Sequence, residues 1–331
     1  MPQTSTALNF NTVEFVFREV GDVRRVAFHA YGGPEVLHVE EVPTPKPGPD
    51  ELLVRVGLAG VTLPVVRLTR GGTVELPCAP GGEIVGTVAG LGADVTGWRI
   101  GQRVTGLTFA SAYAEYATIG TRLAVAVPAG VEDAAALSVA RSGQVALGTL
   151  RASGFRTGED VLINAAAGGV GHLSVQLAKA FGAGRVVAAV GSPAKAEFVR
   201  GLGADDVITY GDAAEQVDVV LDGVGGEVQD QCLNALRPFG RLVSYNGIGG
   251  PLDTTVLRMR GTTVIGFTMP HFSTLRAETY LAQQRELWDL LADGRLRPAI
   301  HAELSLADAV EAHRIIEARA NLGKIVLDPL K

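Results

Sequence analysis

Cysteine is scarce in this chain: only Cys78 and Cys232 occur among 331 residues, far apart in sequence. That excludes the disulfide framework of small secreted folds and suits a reduced, cytoplasmic protein. No apolar run reaches the roughly 18 residues that a membrane-spanning helix needs, so no membrane partner is expected. Residues 1–22 lack the basic start and apolar core of a secretory signal and are read as an N-terminal extension, in which 13–20 could add an edge strand. Basic residues do not predominate: 29 Lys and Arg stand against 35 Asp and Glu, for a formal net charge of -6. The charges are mixed rather than blocked, which argues against a nucleic-acid surface. Glycine and aliphatic side chains are plentiful instead, with 42 glycines and 47% hydrophobic residues. Many tight turns around a sizeable core fit two domains at this length.

The most informative stretch is 161–182, VLINAAAGGVGHLSVQLAKAFG. Val161, Leu162 and Ile163 predict a short buried parallel strand, and Leu173, Leu177 and Phe181 share one face of a helix. Between them lie Gly168, Gly169, Val170 and Gly171. Strand, glycine turn and helix in that order aim helix N-terminal N–H groups at a pyrophosphate. Glycine is needed where a Cβ would keep backbone from phosphate or helix from strand. Ala165 replaces the first glycine of GxGxxG, so a strand–helix turn without a ligand stays open as the alternative. The surroundings favour the nucleotide: strands are predicted over 185–190, 207–210, 217–222, 241–245 and 263–267, with a helix over 193–202. Short β-branched runs alternating with helical or glycine-rich segments predict a parallel sheet covered on both faces.

The tip of the second strand decides which dinucleotide fits. NAD-binding domains place an acid there, about 20 residues past the glycines, to bind the ribose hydroxyls. Here the tip reads Gly191-Ser192-Pro193-Ala194-Lys195, without a carboxylate. A hydroxyl and an ammonium welcome the 2′-phosphate that an acid would repel, and Tyr210 could flank it, so NADPH is expected over NADH. A helix cap at Ser192 and a solvated charge at Lys195 are the alternative.

The segments NAAAGGVGHLSVQLAKAFGA, GSPAKAEFVRGLGADDVITY and VLDGVGGEVQDQCLNALRPFGRLV resemble the zinc-independent quinone oxidoreductase branch of the medium-chain dehydrogenase/reductase superfamily. YGGPEVLHVEEVPTPKPGPDELLVRV near the start and EARANLGKIVLDP near the end fit the same family. The resemblance implies an α/β protein, a GroES-like irregular β-barrel catalytic domain plus a Rossmann doubly wound parallel-sheet domain. The barrel would occupy 23–139 and the NADPH-binding domain 140–270. In 271–331 a helix over 274–293, packed through Leu281, Leu287, Trp288 and Leu291, and a capped helix starting at Ser305 would precede a strand at 324–327 that returns to the barrel. The resemblance also implies that Gly223, Val224, Gly247 and Phe267 lie near ribose and nicotinamide, and that Arg319 and Lys324 reach back to the cofactor. The active site would be the cleft between the domains.

Zinc-dependent relatives use a His from a Gly-His-Glu motif; here Pro80-Gly81-Gly82-Glu83 puts glycine in its place, and the scattered histidines show no ligand spacing. No metal is expected. Without a Lewis acid an alcohol is a poor substrate, whereas a conjugated carbonyl already spreads incoming charge onto oxygen. The expected activity is therefore NADPH-dependent reduction of a quinone, enone or enal. Relatives carry Asn, Asp and Tyr where this chain has Thr62, Val65 and Arg67, which favours a specialised enone over simple quinones. No acid or base is assigned; Thr62 and Arg67 are candidate orienting groups, with a plain cleft-rim arginine the alternative for Arg67. An enoyl-thioester reductase and an NADPH-binding protein without turnover remain the competing readings. The apolar strand 263–267 at a sheet edge predicts a homodimer, as relatives pair that edge.

Overall fold

The computed structural model describes residues 21–72, 74–212, 215–247 and 249–331. The edge strand expected over 13–20 lies outside them. Strands β1 (Asp22–Phe28) and β2 (Leu37–Pro43) form an antiparallel ribbon. Next come β3 (Glu51–Val61), β4 (Pro80–Leu91), β5 (Arg103–Ala110), β6 (Tyr116–Gly120) and β7 (Ala124–Ala126), all paired antiparallel. Helix α1 (Leu63–Arg70) leaves β3 directly, with Pro64 in its first turn, where a missing N–H costs nothing.

The chain then enters a continuous helical stretch. Helix α2 (Asp133–Ser138) passes through a π-helical turn, Val139–Gly143, into α3 (Gln144–Ala152). Alternation follows: β8 (Val161–Ile163), α4 (Gly171–Ala180), β9 (Val186–Val190), α5 (Ala196–Gly201), β10 (Asp206–Thr209), β11 (Val217–Asp222), α6 (Val228–Asn234), β12 (Leu236–Ser244), α7 (Thr254–Arg260) and β13 (Thr263–Gly266). These strands form a six-stranded parallel sheet in the order β10-β9-β8-β11-β12-β13. The chain winds outward to β10, then crosses back past β8 to β11. The strand order therefore reverses between β8 and β11, the place where doubly wound sheets bind ligands. Residues of β8 and β9 are buried throughout, as the continuous apolar runs required.

The last segment brings α8 (Met269–Leu275), α9 (Ala277–Ala292), β14 (Ile300–Ser305), α10 (Ala309–Glu317) and β15 (Lys324–Asp328). The returning strand is present: β15 pairs antiparallel with β3 and parallel with β14, extending the first sheet to seven strands. The helix expected over 274–293 is two helices, broken at Arg276 (φ -129°, ψ 41°). Leu281, expected to pack, is 38% exposed. Helix α9 instead turns Tyr280, Gln283, Gln284 and Leu287 inward, because buried Gln144 donates from Nε2 to Tyr280 O at 2.9 Å and Gln284 Oε1 at 3.0 Å. Polar partners, invisible to an apolar periodicity, set the rotation of that helix. Ser305 and Asp308 form the expected capping box, at a short 3₁₀ turn ahead of α10.

Candidate active site

A cleft of about 330 Å³ opens at the C-terminal ends of β8 and β11, bounded across from them by the start of α1 and of β15. The glycine turn forms one wall. Ala165 adopts φ 50°, the left-handed conformation normally left to glycine, and its N–H donates to the Tyr210 hydroxyl at 2.9 Å. The neighbouring glycines do different work. A Cβ on Gly171 would stand 2.2 Å from Ala165 O, so helix α4 can approach the turn only because that position is glycine. A Cβ on Gly169 would have no neighbour nearer than 3.8 Å; that position is left open on the cleft side. A cradle of this form fits a dinucleotide's pyrophosphate, which needs bare backbone and room.

His172, which sequence reasoning set aside as a metal candidate only, braces this turn. Its Nδ1–H donates to Gly168 O at 2.8 Å while Nε2 accepts from Ala299 N–H at 3.1 Å. Acceptance at Nε2 needs the neutral ring, and burial drives its pKa down to about 4. The C-terminal segment adds a second brace where Gly323 N–H donates to Ala167 O at 2.8 Å.

The residues expected around a 2′-phosphate are arranged as follows. Ser192 caps a short turn, accepting from Ala194 N–H at 3.3 Å. The Lys195 ammonium is not simply solvated: it donates to the carbonyls of Arg319 and, at 3.2 Å, Asn321. Burial, and then the charge of Arg319, hold its pKa below the usual lysine value. Arg319 is lowered in the same way by burial and then by Arg67. Among the described residues no carboxylate pairs with any of these three cations. Arg319 thus stands between two like charges, Lys195 and Arg67, and close to Tyr210, an arrangement that fits an anion.

Gly223, Phe267, Arg319 and Lys324 line the cleft, together with Tyr245 and Asn246; Val224, Gly247 and Arg67 do not. A Cβ on Gly223 would meet the Tyr245 hydroxyl at 2.5 Å, and one on Gly247 would meet Val224 O at 2.4 Å, so both glycines permit close packing. Buried Asp222 shapes this loop, its Oδ1 accepting from Asn164 Nδ2, Val224 N and Gly225 N.

At the far end a buried ion cluster appears. Lys324, expected to reach the cofactor, is 2% exposed and its ammonium pairs with Glu83 Oε1. Burial pushes the Glu83 carboxyl upward in pKa, but the charges of Lys324 and Arg141 outweigh it and hold the group low. Arg141 Nη1 lies 3.5 Å from Glu83 Oε2 and donates to Thr62 Oγ1 at 2.6 Å. Thr62, at the N-cap of α1, makes no capping bond with its side chain. Glu83 also explains Gly60, where a Cβ would fall 2.5 Å from Glu83 Oε1. Among the described residues no three His, Cys, Asp or Glu side chains converge as metal ligands. Sequence reasoning missed Arg141, Tyr245 and the bracing role of His172. The only signal for Glu83 was its place in Gly-Gly-Glu.

Comparison with known proteins agrees with this architecture. Residues 48–131 match the alcohol dehydrogenase GroES-like domain and residues 202–327 the zinc-binding dehydrogenase family. The chain is 33% identical to a quinone oxidoreductase of Pseudomonas aeruginosa over 92% of its own length and 99% of that protein. It is 29% identical to an acryloyl-coenzyme A reductase of Sulfurisphaera tokodaii, covering 88% of this chain and 96% of that one. The Escherichia coli quinone oxidoreductase solved with NADPH superposes with a TM-score of 0.86 at 28% identity, over 92% of this chain and all (100%) of the other. The two-domain fold, the glycine turn at the sheet's reversal point and these likenesses agree: the chain belongs to the quinone oxidoreductase branch of the medium-chain dehydrogenase/reductase superfamily.

Proposed function

We propose that the protein is a metal-free, NADPH-dependent reductase of a quinone or a conjugated enone or enal, acting in the cytoplasm as a homodimer. The observation that carries this reading is the cleft: a glycine turn left open at Gly169 faces an apolar wall that offers hydroxyl and guanidinium donors but no carboxylate. When bound, NADPH supplies the hydride. Gly168 to Gly171 hold the pyrophosphate; Ser192, Lys195, Tyr210 and Arg319 hold the 2′-phosphate, with Arg67 adding charge. Gly223, Val224, Gly247 and Phe267 shape the ribose and nicotinamide end, and Lys324 fixes Glu83 beneath it. Thr62 orients the substrate oxygen, since its Oγ1 already accepts from Arg141 and its own proton is left to donate. An alcohol substrate would need a Lewis acid, and the nearby Glu83 is committed to Lys324 and Arg141 rather than to a metal.

The acryloyl-coenzyme A reductase among the relatives favours enoyl thioesters as the second reading. The dimer reading rests on β13, which ends the parallel sheet, and on Phe239, Met259 and Val256 in the neighbouring elements, exposed by 77%, 72% and 46%. In this reading 23–139 is the barrel, 140–270 the nucleotide domain and 271–331 the return to the barrel, a division that the two larger sheets support. The test is NADPH oxidation with a panel of quinones, enones and enoyl thioesters, with and without a chelator. Turnover of a conjugated acceptor that survives chelation is expected; loss of activity restored by zinc, or no turnover at all, overturns the reading. Light scattering at micromolar concentration checks the dimer.

A further inference from the structure

Arg141 is a cation in the cleft wall to which the proposed function gives no task toward substrate. It sits in the π-helical turn Val139–Gly143, a local widening of the helix of the kind that redirects side chains and recurs at functional sites. Its side chain is only partly exposed, at 21%, and its guanidinium is steered by the Thr62 hydroxyl and by Glu83. Glu83 gives its shorter contact to Lys324 and stands 3.5 Å from Arg141, so one carboxylate serves two cations. The cluster keeps a net positive charge in a place where an uncompensated charge is costly. Nε and Nη2 of Arg141 make no hydrogen bond to protein among the described residues. Val61, Leu63, Pro64, Val145 and Met269 give the cleft much of its lining, its polar members such as Ser142 and Asn246 are neutral apart from Arg141 itself, Arg319 and Lys324, and no carboxylate lines it. A planar, fixed, half-satisfied guanidinium in an apolar wall matches a carboxylate better than a neutral oxygen.

We infer that Arg141 binds a carboxylate borne by the substrate, so that this reductase selects conjugated acceptors whose alkene also carries an anionic group. The inference rests on the reductase reading above. A probe pair that differs in that charge is (E)-4-oxo-2-pentenoate and its methyl ester. In the measured reaction NADPH is oxidised to NADP⁺ as its hydride forms a C–H bond at the alkene carbon β to the ketone. A proton from water adds at the α carbon, and the C=C π bond is lost, giving 4-oxopentanoate. The ester is intrinsically the more electrophilic acceptor, so a preference for the acid must come from the protein.

Wild-type kcat/KM for the acid is expected to exceed that for the ester by about 10- to 100-fold, the scale of a charge-assisted hydrogen bond. Arg141→Met should bring that ratio to about one, and Arg141→Lys should recover part of it. A readout without turnover uses the saturated product: with NADP⁺ present, 4-oxopentanoate should raise the wild-type melting temperature, and its methyl ester should not. A wild-type preference for the ester, or equal losses for both probes in Arg141→Met, overturns the inference. Should Arg141→Met fail to fold, the wild-type ratio and the product's melting shift decide. Failure of the reductase reading looks different: no acceptor is turned over, while the melting shift still reports on the carboxylate site.

Discussion

At the glycine turn, backbone makes the site: an open Gly169, a close-packed Gly171 and a left-handed Ala165 pinned by Tyr210 all lie within a few residues of one another, or one strand away. At the other end of the cleft, side chains make it, and they come from four distant elements: Thr62 before α1, Glu83 in β4, Arg141 in the π-helical turn and Lys324 in β15. The first end depends on the absence of atoms: a Cβ has no room in the fold at Gly171, and at Gly169 it would take up open space of the cleft. The second depends on charges that must all be present together. Backbone sites are thus robust to charge and fragile to volume, and ionic sites the reverse.

The sharpest way to break that comparison is to remove the shared charge. Glu83→Ala should cost about 3–5 kcal/mol in urea denaturation, because it leaves buried Lys324 and half-buried Arg141 without their common partner. A loss below about 1 kcal/mol would mean that the cluster is hydrated rather than ionic in the folded state. At the other end, volume should matter instead. Gly171→Val forces a side chain into Ala165 O and should destabilise the fold by about 1–3 kcal/mol or more, whereas Gly169→Val should melt like the parent yet lose NADPH binding. Fluorescence titration beside the melts separates the two, and intact binding in Gly169→Val would place the phosphates elsewhere.

Lys195→Ala sharpens the cofactor end further. It should weaken NADPH by about 1–3 kcal/mol and barely change NADH, with titration of both cofactors as the check. Equal losses would assign Lys195 only to tying down the Arg319 and Asn321 carbonyls. The remaining effect is that of pH, which acts on the whole fold rather than on one end of the cleft. His172 and His313 are held by burial at about 4, below the ordinary 6.5. The unfolded chain therefore takes up protons first, so their contribution is complete above about pH 6.5 and is lost progressively as pH falls toward 4. Urea midpoints at about pH 7 and about pH 5 should differ in that direction, and His172→Asn should flatten the slope.

The legibility of the molecule follows the same division. Strands of the parallel sheet could be read because each is a short apolar run between turn residues, and the glycine turn because its parts are contiguous. The rotation of α9 could not, since it depends on Gln144 reaching that helix across more than a hundred residues of chain. Arg141 was equally hidden. In sequence it is one arginine in a helical stretch, and its meaning comes only when a π-helical turn and β4 bring it beside Glu83. Lys324 was foreseen as a cleft residue, but its partner was not, because Glu83 had been read only for the histidine missing beside it.

Strand β15 has a consequence for how the protein can assemble. It lies far from β3 in sequence, yet it pairs with that strand and carries Lys324 to Glu83. Until it arrives, the early sheet waits with the edge of β3 unpaired and a buried carboxylate without its cation. A chain without β15 is therefore expected to show an open sheet edge and an unneutralised carboxylate at the cleft, and so to be a client for chaperones or proteases rather than a half-active enzyme.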